Sequence, residues 1–133
     1  MSPSAVRGMR LFFGKAKCSI CHNGPRLTDA QFHNIGVPDF PPDQGDIGRK
    51  KVTGELFHLR SYKTPGLRYI PQTAPYMHNG IFKTLKDVVE FYDMGGNDDP
   101  IKSPFISPIG LSNTEKRELV DFMLSLGSEN SDY

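Results

Sequence analysis

Hydrophobic and polar positions fall into a helical rhythm near both ends of the chain and once before its last third, and into no regular period elsewhere. Between Ser4 and Lys17, the residues Val6, Met9, Phe12, Phe13 and Ala16 recur at spacings of three and four. That is the period of an amphipathic helix, and Pro3 suits its first turn. Near the other end, Ser112-Asn113-Thr114-Glu115 reads as a capping box. Leu119, Phe122, Met123 and Leu126 then form one apolar stripe, better suited to a core than to ligation, and Gly127 ends the helix. A further helix is expected from Thr84, whose hydroxyl can cap Asp87, to Gly95-Gly96. It sets Leu85, Val88, Val89 and Tyr92 on one inward face. Residues 128–133 are polar and read as a flexible tail.

Between Gly24 and Pro75 the glycines and prolines are dense enough to exclude long helices, and short strands are expected at 51–53 or 56–59. At 133 residues the chain has the size of a single domain, 1–133, with one core. Hydrophobic residues at 37% and charged residues at 23% place it among folded globular domains. No apolar run approaches the roughly 18 residues of a transmembrane segment. The formal net charge of +1 gives no reason to propose nucleic acid as a partner, since that requires a clustered basic surface.

The chemistry is concentrated in Cys18-Ser19-Ile20-Cys21-His22. Two cysteines about one helical turn apart can each form a thioether with a porphyrin, and the histidine that follows can reach its iron; C-x-x-C-H is the pattern of covalent c-type haem attachment. A thioredoxin-like pair would follow a strand in a βαβ setting, which is lacking here. A zinc site would need further ligands at the right spacing. A disulfide between residues three apart closes almost no loop. The expectation is therefore one covalent haem c, bound by Cys18 and Cys21, with His22 as proximal iron ligand. Arg7, Arg10, Lys15, Lys17 and Arg26 surround this motif and favour an acidic partner near the cofactor edge. A helix leading into C-x-x-C-H, a loop-rich middle and a C-terminal amphipathic helix make up an all-α, class I cytochrome c-like layout with long irregular loops around a haem-centred core, in which the terminal helices cross.

The other face of the iron has several candidate ligands: Met77, His78, Tyr92 and Met94, then His33 and His58. Which one binds tunes redox potential and chemistry. Tyr92 lies on the inward face of its helix, whereas Met94 would point about 180° from Leu85 if the helix continued. Helix ends unwind near a glycine, so Met94 stays open as the alternative.

Four strings in the middle carry a family resemblance: Phe32-His33-Asn34-Ile35-Gly36-Val37-Pro38, Asp46-Ile47-Gly48-Arg49, Lys63-Thr64-Pro65-Gly66-Leu67-Arg68 and Thr73-Ala74-Pro75-Tyr76-Met77-His78-Asn79-Gly80. With the two later helices, they make the chain resemble the C-terminal haem domain of the bacterial dihaem cytochrome c peroxidase and MauG family. The resemblance implies Tyr92 as distal ligand, at the position where the peroxidases carry Met and MauG-like proteins Tyr. It implies Arg68 as partner of a haem propionate, and the Thr73 and Pro75 carbonyls as ligands of a calcium ion shared with a second domain. His78 would lie near the domain interface.

Only one C-x-x-C-H is present, so the N-terminal haem domain of such proteins has no counterpart in this chain. The implied function is electron transfer in peroxide-dependent oxidation, paired with a second haem domain or a redox partner protein. The alternative is a stand-alone monohaem electron carrier, or a haem subunit of a larger redox complex. No catalytic residue is identified by the sequence. The N-terminus shows no signal peptide, but covalent haem attachment belongs to the oxidising side of the membrane, so a periplasmic protein with an exported precursor is expected.

Overall fold

The computed structural model describes residues 1–127; the tail expected at 128–133 lies outside them. Helix α1 spans Pro3–Phe13, with the Ser2 hydroxyl accepting from the Ala5 amide at 3.1 Å. It stops four residues short of Lys17. Gly14 leaves helical geometry at φ −124° and ψ −111°, and the Gly14 and Ala16 amides both turn back onto the Leu11 carbonyl. The apolar spacing extends to Ala16 because Ala16 is buried in the turn, not because the helix reaches it. Lys17, at φ 59°, redirects the chain into one 3-10 turn, Cys18–Ile20. The cysteine motif therefore sits on its own tight turn after α1 rather than on the end of that helix.

Between α1 and the later helices the chain is mostly loop, as its glycines and prolines dictate. Strands β1 (Phe32–His33) and β2 (Tyr62–Lys63) pair antiparallel, Phe32 opposite Lys63 and His33 opposite Tyr62. The strands expected at 51–53 and 56–59 are helical turns instead. Helix α2 spans Lys50–Thr53, and Leu56–His58 forms a 3-10 turn. Gly54 takes a left-handed φ of 74° and returns its amide to the Lys50 carbonyl, closing the first of these locally. A bidentate ion pair, Arg60 Nε and a terminal guanidinium nitrogen on the two oxygens of Asp99, ties the β2 region to the loop after α3.

Helix α3, Leu85–Asp93, starts at the Thr84 cap and passes through Met94 into Gly95. Helix α4, Asn113–Ser125, starts at the capping box, with both reciprocal bonds made between Ser112 and Glu115. It packs against α1 and α3. Phe12 is 2% exposed and meets Phe122 edge-on, ring centroids 5.2 Å apart. Around this contact Leu85, Val89, Leu111, Leu119 and Met123 complete a core continuous with Leu27, Leu67 and Tyr76 from the loops. The fold is mostly helical with a minimal sheet. Among the described residues no helix is long and apolar enough to cross a membrane.

Candidate functional site

The terminal helices and the middle loops leave between them a cavity of about 520 Å³, well inside the range of small-molecule and cofactor sites. Phe12, Leu67, Leu85, Val89, Leu119 and Met123 give it apolar walls drawn from every core element. Cys18, Cys21 and His22 line it together. Both thiols are free. Burial pushes the Cys18 thiol up to about 12 and raises Cys21 as well, so at neutral pH both are uncharged.

His22 is oriented by its own neighbourhood. Its Nδ1 lies 2.8 Å from the Leu27 carbonyl, and Leu27 is buried in the core. A carbonyl can only accept, so Nδ1 carries the proton and Nε2 keeps the lone pair that binds metal. Burial lowers the His22 pKa below the ordinary histidine value, opposed by the Leu27 and Pro65 carbonyls and the Asp29 carboxylate. The ring is thus neutral at pH 7, the form a metal needs. Phe12 sits 6.3 Å away, centroid to centroid, joining this imidazole to the α1–α4 contact.

Of the residues singled out in the sequence, Tyr92 also lines the cavity. Burial, then the Cys18 and Cys21 thiols, raise its phenol above the ordinary tyrosine range. Met94 caps α3 and is 57% exposed, outside the cavity wall. Met77, His78 and His33 reach the cavity lining; His58 does not, its Nδ1 sharing a hydrogen bond with the Thr53 hydroxyl at 2.8 Å. Thr73 and Pro75 line the cavity too. Arg68 is not in the lining; its Nε donates to the Pro25 carbonyl at 2.8 Å. Lys15, Lys17 and Lys63 supply cationic groups at the cavity instead.

Two elements of the site were not found from the sequence. Asp29 accepts from His33 Nε2 at 2.7 Å, and a Cys21, Asp29 and His33 donor set lies within 4.8 Å. The four-residue spacing of Asp29 and His33 is visible in the sequence, but it signals a pair only on a helix, and this segment is not one. Tyr62 reaches the cavity because β2 pairs with β1, a register that no local pattern announces.

A tetrapyrrole suits these residues: a thiol pair and a neutral imidazole share an apolar cavity whose lining includes cations for its carboxylates. No protein-family model matches the chain. It is 36% identical, over 153 aligned positions, to the cytochrome-c peroxidase IdrP1 of Pseudomonas sp. (strain SCT), covering 95% of this chain and 40% of that protein. The methylamine utilization protein MauG of Methylorubrum extorquens is 39% identical over 127 positions, 94% of this chain and 35% of MauG. In three dimensions the chain matches a MauG-like protein associated with microbial copper homeostasis, TM-score 0.88 and 30% identity, over 97% of this chain and 45% of that one. The dihaem peroxidase BthA from Burkholderia thailandensis shares the fold, TM-score 0.78 at 23% identity, over 95% of this chain and 43% of that one. The chain spans about 40% of the length of the IdrP peroxidases and less of the other curated relatives it matches. Over nearly all of its own length, it belongs to the cytochrome c peroxidase and MauG family, corresponding to one portion of those larger proteins.

Proposed function

We propose that this chain is a haem-bearing redox domain, taking part in peroxide-dependent oxidation together with a second haem domain. The observation that carries the reading is the meeting of Cys18, Cys21 and His22 in one apolar cavity of about 520 Å³. Cys18 and Cys21 hold one haem c through thioethers, and His22 Nε2 serves as proximal ligand, aimed by the Nδ1 bond to Leu27. A haem bound there supplies an iron centre that exchanges single electrons. Tyr92 is the distal ligand, since it lines the cavity while Met94 is exposed. A phenolate is a hard anionic donor and favours the ferric state, which makes this a low-potential site.

The crossing of α1 and α4 beside the cysteine motif supports a class I cytochrome c-like arrangement in a single domain. Lys15, Lys17 and Lys63 are better placed than Arg68 to meet carboxylates of the bound group. Thr73 and Pro75 contribute carbonyls to a calcium ion only when a second domain completes its shell. Covalent haem attachment belongs to the oxidising side of the membrane, which supports a periplasmic location.

A second reading is favoured by one observation: the chain has two cysteines and so one attachment motif. Acting alone, it would be a monohaem electron carrier or a haem subunit of a larger complex. The mass and visible spectrum of the purified chain test the proposal. A mass increased by one haem, retained after denaturation, with a c-type spectrum, is expected; a colourless protein overturns it. Peroxide turnover measured with and without a second haem domain separates the two readings, the carrier giving none in either case.

A further inference from the structure

Tyr62 stands where β2 meets the cavity, and its neighbours are those of a side chain able to give up an electron and a proton together. Its ring lies face to face with the His78 imidazole, centroids 3.4 Å apart and planes 9° from parallel. Its phenol engages the Asp46 carboxylate. Asp46 in turn lies 3.9 Å from His78 Nε2 and accepts from the Gly48 amide at 2.8 Å. Three segments of the loop-rich middle therefore converge on one phenol. Tyr62 and His78 both line the cavity, while the Asp46 side chain is 49% exposed. One end of the cluster faces the redox site and the other faces water.

The other described tyrosines lack this arrangement. The Tyr76 hydroxyl donates to the Ile70 carbonyl at 3.2 Å, and Tyr69 is 52% exposed. The groups that act on the Tyr92 phenol are the Cys18 and Cys21 thiols, not a carboxylate. A phenol that loses an electron becomes strongly acidic, so it oxidises readily only where a base already waits for its proton. At rest, burial and the Asp46 charge raise the Tyr62 phenol, so it keeps that proton until oxidised.

Resting on the haem reading, we propose that Tyr62 is a redox-active tyrosine: it passes one electron toward the group in the cavity while its phenolic proton moves to the Asp46 carboxylate. The O–H bond of Tyr62 breaks and an O–H bond forms on Asp46. The phenol is oxidised to a neutral phenoxyl radical, and an oxidised centre in the cavity is reduced by the same single electron. The oxidant is a hydroperoxide; hydrogen peroxide takes two electrons and two protons from water and leaves as two waters, Tyr62 supplying one of those electrons and an external one-electron reductant, of the kind that later restores the phenol, supplying the other. Return of one electron from a reductant, with the proton from Asp46, restores the phenol. His78 holds the ring in place by stacking and is a positioning residue.

The test is freeze-quench electron paramagnetic resonance of the haem-loaded protein, mixed with the second haem domain and then with hydrogen peroxide, with and without ring-deuterated tyrosine in this chain. A radical whose spectrum narrows on deuteration, persists in Tyr69→Phe and is lost in Tyr62→Phe is the expected result. Tyr62→Phe keeps the ring that stacks on His78, and circular dichroism verifies its fold. Asp46→Asn should slow radical formation and diminish its solvent isotope effect, which a merely structural carboxylate would not do. A tyrosine radical that survives Tyr62→Phe, or none in loaded wild type, overturns the proposal. A second arm oxidises the chain with photogenerated ruthenium(III), bypassing the cavity. If the chain proves to carry no haem, the haem reading falls, and this arm still decides the assignment: Tyr62 oxidised first upholds it, and another tyrosine oxidised first overturns it.

Discussion

Gly8 of α1 lies directly under the backbone carbonyl of Glu118 in α4: a β-carbon on Gly8 would stand 1.8 Å from that oxygen. The obstacle is backbone in the middle of a helix, so no side-chain rearrangement relieves it. The two helices can approach this closely only because position 8 has no side chain, and the approach is what brings Phe12 onto Phe122. Gly8→Ala should therefore push the helices apart and destabilise the fold by about 3 kcal/mol, the upper end of overpacking costs. Urea unfolding monitored by circular dichroism checks this. An unchanged midpoint would show that the helices do not meet there.

On the proposed haem reading, covalent attachment should depend on the cysteines and not on the cavity alone. The double variant Cys18→Ala with Cys21→Ala should lose all haem that survives denaturation and melt at a lower temperature, because the cavity of about 520 Å³ loses its tethered filling. Mass spectrometry and a thermal melt read the two effects separately. Retention of denaturation-resistant haem would mean attachment elsewhere.

Tyr92 and Met94 give opposite expectations. Tyr92 lines the cavity and Met94 is 57% exposed. Tyr92→Phe should convert the ferric haem from low to high spin, while Met94→Leu should leave the spectrum as it was. Tyr92→Met should raise the potential and bring in the sulfur-to-iron charge-transfer band. A low-spin Tyr92→Phe protein would exclude Tyr92 as the ligand.

The Arg60–Asp99 pair sets an acid limit on stability. Asp99, its side chain 7% exposed, accepts from Arg60 at 2.5 and 3.0 Å and from the Ile101 amide at 3.1 Å. The Arg60 guanidinium holds its carboxyl far below the usual carboxylate range. A depressed folded value means the stabilisation is complete above the unfolded value, near 3.9, and is lost as pH falls below it. Asp99→Asn should cost about 2 kcal/mol at pH 7, typical of charge-assisted hydrogen bonds. The gap to wild type should narrow as the pH drops below about 4. Denaturation at pH 7 and pH 3 measures it, and a gap that widens in acid would contradict the assignment.

Local chemistry was legible along the chain wherever it repeats within a turn or a few residues. The capping box at Ser112 and Glu115, the Thr84 cap and the glycines after Met94 bound α4 and α3 because caps and periods are short-range. Gly14 was the missed signal at the end of α1: the apolar spacing ran through it to Ala16, and burial in a turn looks the same as burial on a helix face. Glycine and proline density correctly ruled out long helices in the middle. It did not say where strands pair, since β1 and β2 find each other across 28 intervening residues through backbone bonds that no side-chain pattern records.

The cysteine pair with its adjacent histidine was set by sequence alone, because two thiols and an imidazole one turn apart constrain each other wherever the chain goes. The strings shared with the cytochrome c peroxidase and MauG family were equally visible, and they carried the kinship. Only the tertiary structure decided which other side chains share the cavity: Tyr92 and Tyr62 line it, while Met94 and Arg68 do not. It alone brought Leu27 to His22 Nδ1 and set Asp46 against Tyr62 and His78. Such meetings depend on how loops with no period of their own close over a core, and their energy comes from burial and hydrogen bonds between distant segments, which no local spacing encodes.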